Sequence, residues 1–568
     1  MSERDDDPAG GGQVDPILSR LVLPRRHFLG MAALGGLAAA LPAAPAAFAQ
    51  GGPPPKGTRK GQIVVGLSQE PTVFNPLRAR IEVDDGVHLN LFSPLWSLDA
   101  KGNLVPQLAA EIPSVENGGL SADGLTWKIK LRPGVTWHDG TPFTAEDVKY
   151  TIELIQKPDF PAMSRNGHNL VRDIQVTSPT EISWKMERFF APYFSIVAWT
   201  MIVPKHILGA GGDPKDSPFN NKPIGTGPFK WGERRPGDYL LLEANDKFYG
   251  DGPHVERLIF KYIPDLIVLK TQFMTGAVDA VGIQGITPDN FEEVSRVKTV
   301  KLFRAPMPFL ESFSLNNGRP QFQELAVRQA LYLALDKETI IRDIYYGAHR
   351  PTETYLPQQS WAYNPDLPKH KYDPAQAKKL LDDAGWKPGA GGVREKNGVK
   401  LEFSNSTTAG NHLREQMQQF IQQSWRPIGV SMSIKNFPPA VMWGDYWRKS
   451  EWDSVVVGSV FGVGSDPDVS DRLGSWAIPV KTGTGANTMQ YSNAEVDALL
   501  KESVGLVDRE KRKSNYYKVQ ALFRNDLPLL PIYQPNQTEG TKVNLIGYQP
   551  NVNYRSNCWN IHTWYWAS

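Results

Sequence analysis

The chain has 568 residues, of which 40% are hydrophobic and 21% charged, and it carries a formal net charge of +2 at pH 7. This length suffices for two or three domains with large cores, while the near balance of 62 basic and 60 acidic residues gives no support to nucleic-acid binding. A single cysteine, Cys558, excludes intramolecular disulfides and multi-thiolate metal sites, and we predict that it is a buried, small apolar residue.

The first elements in chain order belong to a predicted export signal. Residues 24–30, PRRHFLG, resemble the twin-arginine export motif, and a short apolar run follows at 31–41. That run is too short for a transmembrane anchor, and Ala47-Phe48-Ala49 has the small side chains of a cleavage site. Residues 1–49 are therefore predicted to be a signal peptide recognised by the twin-arginine translocase. Residues 50–56 are predicted to be a linker before a periplasmic, soluble mature protein.

An alternating strand and a capped helix are predicted between Gly124 and Tyr150. Apolar and polar residues alternate over 126–131, which is typical of a half-buried strand. Thr144, followed by two acidic residues, indicates a helix N-cap with favourable charges in the first turn. A helix is therefore predicted over 145–156.

Further short strands and helices are predicted along the remaining chain. A helix is predicted between Asp373, as its N-cap, and Gly385, just past its end. The other predicted elements are strands at 63–67 and 430–434 and helices at 327–336, 337–347 and 412–425.

Several segments together resemble the signatures of the family 5 solute-binding proteins. The matching segments are Glu70 to Pro76 (EPTVFNP), Gly124 to Tyr150, Ile224 to Phe229 (IGTGPF), Asn245 to Tyr249 and Val327 to Ala330. Members of this family are receptors that deliver peptides, nickel complexes, opines or some oligosaccharides to ATP-binding cassette (ABC) importers. The resemblance implies the bilobal α/β fold of periplasmic binding proteins (type II, cluster C) with an extra inserted domain. It also implies no cofactor and no catalytic residues.

The resemblance further implies a division into three domains. Domain I, the first lobe, would comprise 57–92, 201–298 and 536–568, and the inserted domain II would comprise 93–200. Domain III, the second lobe, would comprise 299–535. A solute that contacts both lobes would favour their closed arrangement, which the permease and ATPase subunits of the importer recognise. The receptor is expected to be a monomer.

The segment between Asp453 and Asp468 is expected to line the cleft. In peptide receptors of the family, an Asp three residues before the Asp-Pro pair binds the peptide's α-ammonium group, and the matching residue here is Val463. The aromatic residue usual three positions earlier is Val460. Because a buried ammonium needs a partner, an opine or oligosaccharide stays open beside a peptide-like solute. The predicted ligand-binding residues are Thr72, Val73, Phe74, Val457, Val460, Phe461 and Val463.

Enzymatic motifs are absent from the sequence. There is no phosphate-binding loop, no His-Glu-x-x-His helix and no Gly-x-Ser-x-Gly elbow, and the ten histidines show no metal-ligand spacing. His138 beside Asp139 has no nucleophile near it in sequence, so we interpret this pair as part of a turn. A secreted hydrolase, in which nucleophile and base would converge in the cleft, is the less favoured alternative. A binding protein that acts as a chemoreceptor partner or as a chaperone, without an importer, would have the same sequence features.

Overall fold

Strands from distant parts of the chain meet in the same β-sheets. A computed structural model describes residues 59–462, 465–506, 508–554 and 556–567, without the side chains of residues 283 and 284. The predicted signal peptide (1–49), the linker (50–56) and Val463 lie outside the described residues. The strands in the described part of the chain are β1 (Gln62–Leu67), β2 (Trp96–Leu98), β3 (Leu104–Pro106), β4 (Thr126–Lys130), β5 (Val171–Ser178), β6 (Glu181–Met186), β7 (Phe229–Arg235), β8 (Tyr239–Ala244), β9 (Arg257–Tyr262), β10 (Ala280–Ile286), β11 (Val300–Pro306), β12 (Phe309–Leu315), β13 (Arg350–Pro351), β14 (Lys387–Pro388), β15 (Arg394–Lys396), β16 (Val399–Lys400), β17 (Glu402–Ser406), β18 (Ser431–Ile434), β19 (Ser454–Val460), β20 (Leu529–Gln534), β21 (Asn536–Lys542), β22 (Leu545–Ile546) and β23 (Tyr565–Trp566).

Helices lie between these strands throughout the described residues. They are α1 (Glu82–Leu91), α2 (Ala145–Gln156), α3 (Tyr193–Ala198), α4 (Lys205–Leu208), α5 (Leu266–Thr275), α6 (Phe291–Ser295), α7 (Pro320–Gln323), α8 (Leu325–Leu333), α9 (Lys337–Thr339), α10 (Pro374–Asp383), α11 (His412–Trp425), α12 (Pro439–Met442), α13 (Asp445–Arg448), α14 (Ser470–Leu473), α15 (Pro479–Thr482), α16 (Ala494–Val504) and α17 (Arg509–Asp526). None of them combines the length and the apolar composition that crossing a bilayer requires.

The first large sheet combines the beginning, the middle and the end of the described chain. Its strand order is β11-β21-β10-β1-β9-β8-β7. β1 lies parallel to β9 and β10, and β21 lies antiparallel to β10 and β11. Buried side chains including Ile63, Phe229 and Phe260 form one core on this sheet. Segments that are hundreds of residues apart in sequence are therefore stabilised by the same apolar burial.

The second large sheet is formed by residues between β12 and β20. Its strand order is β13-β20-β12-β19-β17-β18, and β12 lies antiparallel to both β19 and β20. Phe313, Val456 and Leu530 from its central strands are fully buried and share a core with Trp425 of α11. β19 is paired on both sides, with β12 and with β17. The pairing with β12 extends to Val460, opposite Phe309, and fixes the direction in which the chain leaves β19.

Two short connections, lying side by side, join the two large sheets. β11 and β12 are separated by Met307 and Pro308, and β20 and β21 are separated by Pro535. The Met307 N–H donates to the Pro535 carbonyl oxygen at 2.9 Å, and the Gln534 side-chain amide donates to the Met307 carbonyl oxygen at 3.0 Å. Because both connections are so short and are bonded to each other, a rotation of one sheet against the other can be concentrated at this point.

A third sheet, with strand order β4-β6-β5, has a core of its own. Trp127 on β4 and Trp184 on β6 are stacked with their ring centroids 6.0 Å apart, and both are fully buried. α2 begins after Thr144, whose backbone N–H donates to the Asp147 carboxylate at 2.9 Å. The same carboxylate accepts the backbone N–H of Lys205 at 2.9 Å. The Asp147 carboxylate at the start of α2 thus also binds the first residue of α4.

Predictions made from local sequence pattern are largely confirmed. β4 starts at Thr126 with alternating burial, and α2 spans the predicted 145–156. α10 has Asp373 as its N-cap, with the carboxylate accepting the N–H of Gln376 at 2.9 Å. The predicted helix at 412–425 matches α11. Cys558 is buried as predicted, and burial raises the pKa of its thiol to about 12.

The helix predicted over 337–347 is present over 337–344, but most of it is not α-helical. α9 covers three residues only, and a π-helical turn follows at Ile340–Ile344. The Tyr345 N–H donates to the Ile340 carbonyl oxygen, five residues back, at 3.2 Å, which is the π-helical hydrogen-bond pattern.

Candidate functional site

A cavity of about 890 Å³ lies between loops of the second large sheet and a wall built from the segment after β1, the β2–β3 turn and the segment after α2. One wall comes from residues 76–80 after β1, 100–103 in the β2–β3 turn and 163–168 after α2. The facing wall comes from 356–361 after β13 and from 460–462 and 465–472 after β19. This volume lies within the range of about 300–1,000 Å³ that is usual for small-molecule sites. The cavity is therefore the candidate site for a small solute.

The loop after β19 is held in the cavity wall by its own aspartates. The Asp468 N–H donates to the Asp466 carboxylate at 2.9 Å, and the Ser470 N–H donates to the Asp468 carboxylate at 3.1 Å. These side chain to backbone bonds produce two successive turns and lead the chain into α14. Asp466 and Asp468 both line the cavity.

A buried ion pair supports this loop from behind. One terminal nitrogen of Arg512, on α17, donates to both oxygens of Asp466 at 2.8 and 2.9 Å, and the side chains are 8% and 9% exposed. Burial opposes the charge of Arg512, yet the Asp466 carboxylate holds the pKa of the guanidinium above its usual value. The Arg512 Nε also donates to the Ser503 carbonyl oxygen at 3.1 Å. Asp466 thus has its counter-charge within the protein.

An indole ring lies beside this ion pair. The guanidinium carbons of Arg509 and Arg512 are 4.6 and 5.5 Å from the ring centroid of Trp361, and all three side chains line the cavity. Arg509 is exposed, whereas Arg512 is buried. The wall here combines an aromatic face with cationic groups.

The opposite wall contains a buried histidine. His168 is 3% exposed, its Nε2 is 3.0 Å from the Thr200 hydroxyl and its Nδ1 is 3.3 Å from the Tyr193 hydroxyl. Burial lowers the pKa of His168 to about 4. The imidazole is therefore neutral at pH 7.

The two walls approach each other closely at a glycine. Gly102 in the β2–β3 turn has a φ of +81°, and a Cβ placed on it would lie 3.2 Å from the Cβ of Ser465 on the facing loop. A second contact joins the segment before α3 to the end of α16, where the Ala191 N–H donates to the Val504 carbonyl oxygen at 2.9 Å. The absence of a side chain at residue 102 allows the walls to close to this distance.

Comparison with known proteins places this geometry in a family. The family model described as bacterial extracellular solute-binding proteins, family 5 Middle, matches residues 103–478. The chain belongs to this family. The oligopeptide-binding protein AppA of Bacillus subtilis (strain 168) is 29% identical to it over 524 residues, which cover 90% of this chain and 93% of AppA.

Solved structures agree with the family assignment. AppA from Bacillus subtilis in complex with a nonapeptide has a TM-score of 0.83 and 28% identity, covering 90% of this chain and 100% of that chain. NikZ from Campylobacter jejuni in complex with Ni(L-His) has a TM-score of 0.80 and 26% identity, covering 90% and 99%. The expected bilobal type II periplasmic-binding-protein fold is confirmed. This family 5 protein is a binding receptor of the kind that serves ABC importers, and not an enzyme.

The predicted ligand-binding residues on the first loop lie next to the cavity but outside its lining. The Asp84 carboxylate accepts the N–H groups of Thr72 and Val73 at 2.8 and 3.1 Å. Phe74 is 1% exposed and packs edge-on against Trp231 with ring centroids 4.8 Å apart. Residues 76–80 of the same loop reach the cavity instead.

The predicted ligand-binding residues around β19 are divided. Val460 and Phe461 line the cavity, whereas Val457 is fully buried in a core. Val463 lies outside the described residues. Sequence reasoning did not find Arg512, which is 46 positions from its partner Asp466 and has no local signal.

The two residues of the His138-Asp139 pair contact different partners. The Gly225 N–H donates to His138 Nδ1 at 3.1 Å, and His138 Nε2 is 3.1 Å from the Gly227 carbonyl oxygen. The Asp139 carboxylate is instead 2.8 Å from His206. His138 accordingly connects the turn at 138–140 to the Gly-Thr-Gly-Pro turn, which agrees with the interpretation as part of a turn.

Acidification is expected to destabilise the protein more in the presence of His168 than without it. Because its pKa is about 4 in the folded chain and about 6.5 when unfolded, the unfolded chain binds an extra proton between these pH values. The free energy of unfolding therefore falls as pH falls through this window, by up to about 3 kcal/mol for this residue. Urea unfolding of wild type and His168→Asn from pH 7.5 to 4 measures the difference, with the partly exposed His206→Gln as control. Parallel profiles for wild type and His168→Asn would contradict it.

Alanine at position 102 is expected to weaken solute binding severalfold. The new Cβ would press against Ser465 across the cavity and hold the walls apart by a few tenths of an ångström. Gly134→Ala is the matched control, because its φ is +75° and nothing lies within 4 Å of its added Cβ. Both variants should lose about 1–2 kcal/mol of stability from the left-handed backbone. Titration calorimetry with a bound solute should show weaker binding for Gly102→Ala alone, and equal affinities would contradict the prediction.

Proposed function

We propose that this protein captures a peptide-like or other small organic solute in the cavity between its lobes and delivers it to the permease and ATPase subunits of an ABC importer. The observation that carries the proposal is the cavity itself, which is enclosed between the second large sheet and segments of the first part of the chain and has a volume suited to a small solute. AppA, which covers nearly the whole chain, is named as an oligopeptide-binding protein. A peptide-like solute is therefore the first class to test.

A binding screen on the purified protein tests this proposal. Native mass spectrometry is expected to find an unmodified solute, and a thermal-shift screen over peptides, opines and oligosaccharides is expected to identify its class. A solute at one hundred times its Kd stabilises the folded protein by about 2.7 kcal/mol, which is easily measured. Chemical turnover of the bound compound, or no binding in any class, would overturn the proposal.

We propose that the hinge between the lobes lies at Met307, Pro308 and Pro535. These are the short connections between the two large sheets. Domain I would comprise 57–92, 201–306 and 536–568, since β11 pairs with β21 in the first sheet. The inserted domain II would remain 93–200, and domain III would begin after Pro308.

We propose that Val460 and Phe461 contact the solute directly, because both line the cavity. Thr72, Val73 and Phe74 would support the wall from behind, through Asp84 and Trp231. Val457 would support the cavity wall from the core of the second lobe.

We propose that the protein is exported to the periplasm by the twin-arginine translocase and acts there as a monomer. The support is the PRRHFLG motif at 24–30 and the cleavage pattern that ends at Ala49. Amino-terminal sequencing of the exported protein should begin near Gln50. Replacing Arg25 and Arg26 by lysine should keep the protein in the cytoplasm, and unchanged export would contradict this route.

A further inference from the structure

A valine at the end of α16 is buried in the core of the third sheet. Val504, the last residue of this helix, is 3% exposed and belongs to the same core as Trp127 and Trp184. Earlier in α16, Val496 belongs instead to the core that contains Val457 of β19. The helix is therefore anchored in the second lobe and ends in a core of the inserted domain.

The backbone of Val504 is bonded across the same contact. The Ala191 N–H, in the segment before α3, donates to the Val504 carbonyl oxygen at 2.9 Å. The last carbonyl groups of a helix have no partner within the helix, so this bond caps α16 from the inserted domain. If the two segments separated, water would replace Ala191 as the donor, but it would not replace the apolar contacts of the Val504 side chain. Burial of this side chain is therefore the larger contribution to the contact.

The end of α16 is also connected to the cavity wall. The Ser503 carbonyl oxygen accepts a bond from Arg512 Nε at 3.1 Å, and Arg512 binds both oxygens of Asp466. Asp466 lines the cavity, whereas Val504 and Ala191 do not. The contact at Val504 is thus linked to the cavity wall without depending on a solute.

The inserted domain is bonded to the first lobe. The Leu98 N–H donates to the Tyr554 hydroxyl oxygen at 3.0 Å, and the Asn551 side-chain amide donates to the Leu98 carbonyl oxygen at 3.2 Å. A rotation at the proposed hinge would therefore move the inserted domain together with the first lobe and away from α16. Opening would expose the Val504 side chain to water.

A polar contact also joins the lobes outside the cavity. His412 Nε2, at the start of α11, is 3.0 Å from the Asp289 carboxylate in the segment after β10. These side chains are 40% and 25% exposed, so water competes for both groups. Water is excluded from the side chain of Val504. The apolar contact therefore contributes more to the closed arrangement than this polar pair does.

We propose that Val504 is an apolar latch, which docks into the core of the third sheet when the lobes close and thereby controls how tightly the protein holds a solute. The inference rests on the proposed solute-binding function and hinge. A solute that binds the closed arrangement has an apparent affinity that depends on how readily the protein adopts it. Removing apolar area at Val504 destabilises the closed arrangement alone, because the open arrangement already exposes this side chain. Val504 thus affects affinity without touching the solute.

Distance measurements between the lobes test the latch. Spin labels are attached to Val115→Cys in the inserted domain and Val480→Cys in the second lobe, two positions that are 51% and 47% exposed, whereas Cys558 is buried. Electron double resonance gives the closed-to-open ratio of the purified chain, both free and during titration with tripeptides, opines and neutral oligosaccharides. Val504→Ala should lower this ratio by a factor of about five or more, because the closed arrangement alone loses two buried methyl groups.

Val496→Ala is the matched control, since Val496 is a fully buried valine of the same helix and belongs to a core of the second lobe. This variant should lower the melting temperature but keep the wild-type closed-to-open ratio. A wild-type ratio in Val504→Ala, or an equal reduction in Val496→Ala, would overturn the latch and leave solute binding intact. A wild-type protein that never closes with any of the three solute classes would count against both the latch and the proposed function.

Discussion

Alanine at position 225 is expected to prevent the protein from folding. A Cβ on Gly225 would lie 1.7 Å from the carbonyl oxygen and 2.7 Å from the carbonyl carbon of Leu91, which are backbone atoms at the end of α1. Leu91 is fully buried, and Gly225 is also bonded to His138 through its N–H and its carbonyl oxygen. Neither the end of α1 nor the turn at Gly225 can move without breaking these contacts. The free energy of unfolding should therefore fall by more than about 4–5 kcal/mol, the upper end of the range for single substitutions.

Expression yield, circular dichroism and thermal unfolding measure this effect. Gly505→Ala is the matched control, because Gly505 has a φ of −94° and the nearest atom to an added Cβ is the Glu502 carbonyl oxygen at an ordinary 3.6 Å. The control should fold and unfold like the wild type. A Gly225→Ala protein that melts within a few degrees of the control would show that the Gly-Thr-Gly-Pro turn tolerates a side chain.

Elements specified by short-range pattern could be predicted from the sequence. The strand at 126–131 and the helix at 145–156 depend on alternation and on an N-cap, which neighbouring residues determine. The family resemblance, carried by several short motifs, predicted the bilobal fold. In contrast, the π-helical turn at Ile340–Ile344 follows a helical pattern in sequence, and that pattern alone did not reveal it.

The site was less predictable because its walls are assembled from distant segments. Val460 and Phe461, which line the cavity, were predicted from their position in a family motif. Phe74 was expected at the cavity through the same kind of match, but the loop buries it against Trp231 and presents later residues to the cavity. The pairing of Arg512 with Asp466 joins α17 to the loop after β19, and no local pattern encodes such a contact.

Methionine at position 512 is expected to destabilise the folded protein by about 3–5 kcal/mol, because it leaves a buried carboxylate unpaired. Asp466 would lose both bonds to the guanidinium and would remain 9% exposed beside Asp468. Urea unfolding at pH 7 measures the loss. Arg509→Met is the matched control on the same helix, since Arg509 also lies against Trp361 but is exposed and has no ion-pair partner within 4 Å among the described residues. The free energy of unfolding of the Arg509→Met variant should fall by no more than about 1 kcal/mol.

A double-mutant cycle separates the unpaired charge from the lost packing. Combining Arg512→Met with Asp466→Asn removes both charges, so the double variant should recover part of the stability lost by Arg512→Met alone. The hydrogen bond from Arg512 to Ser503 and the contact of Arg512 with Trp361 are lost in both variants, which limits the recovery. If the two substitutions add without coupling, the ion pair does not hold the loop after β19 in place. A positive coupling would instead show that the Arg512–Asp466 ion pair holds this loop in the cavity wall.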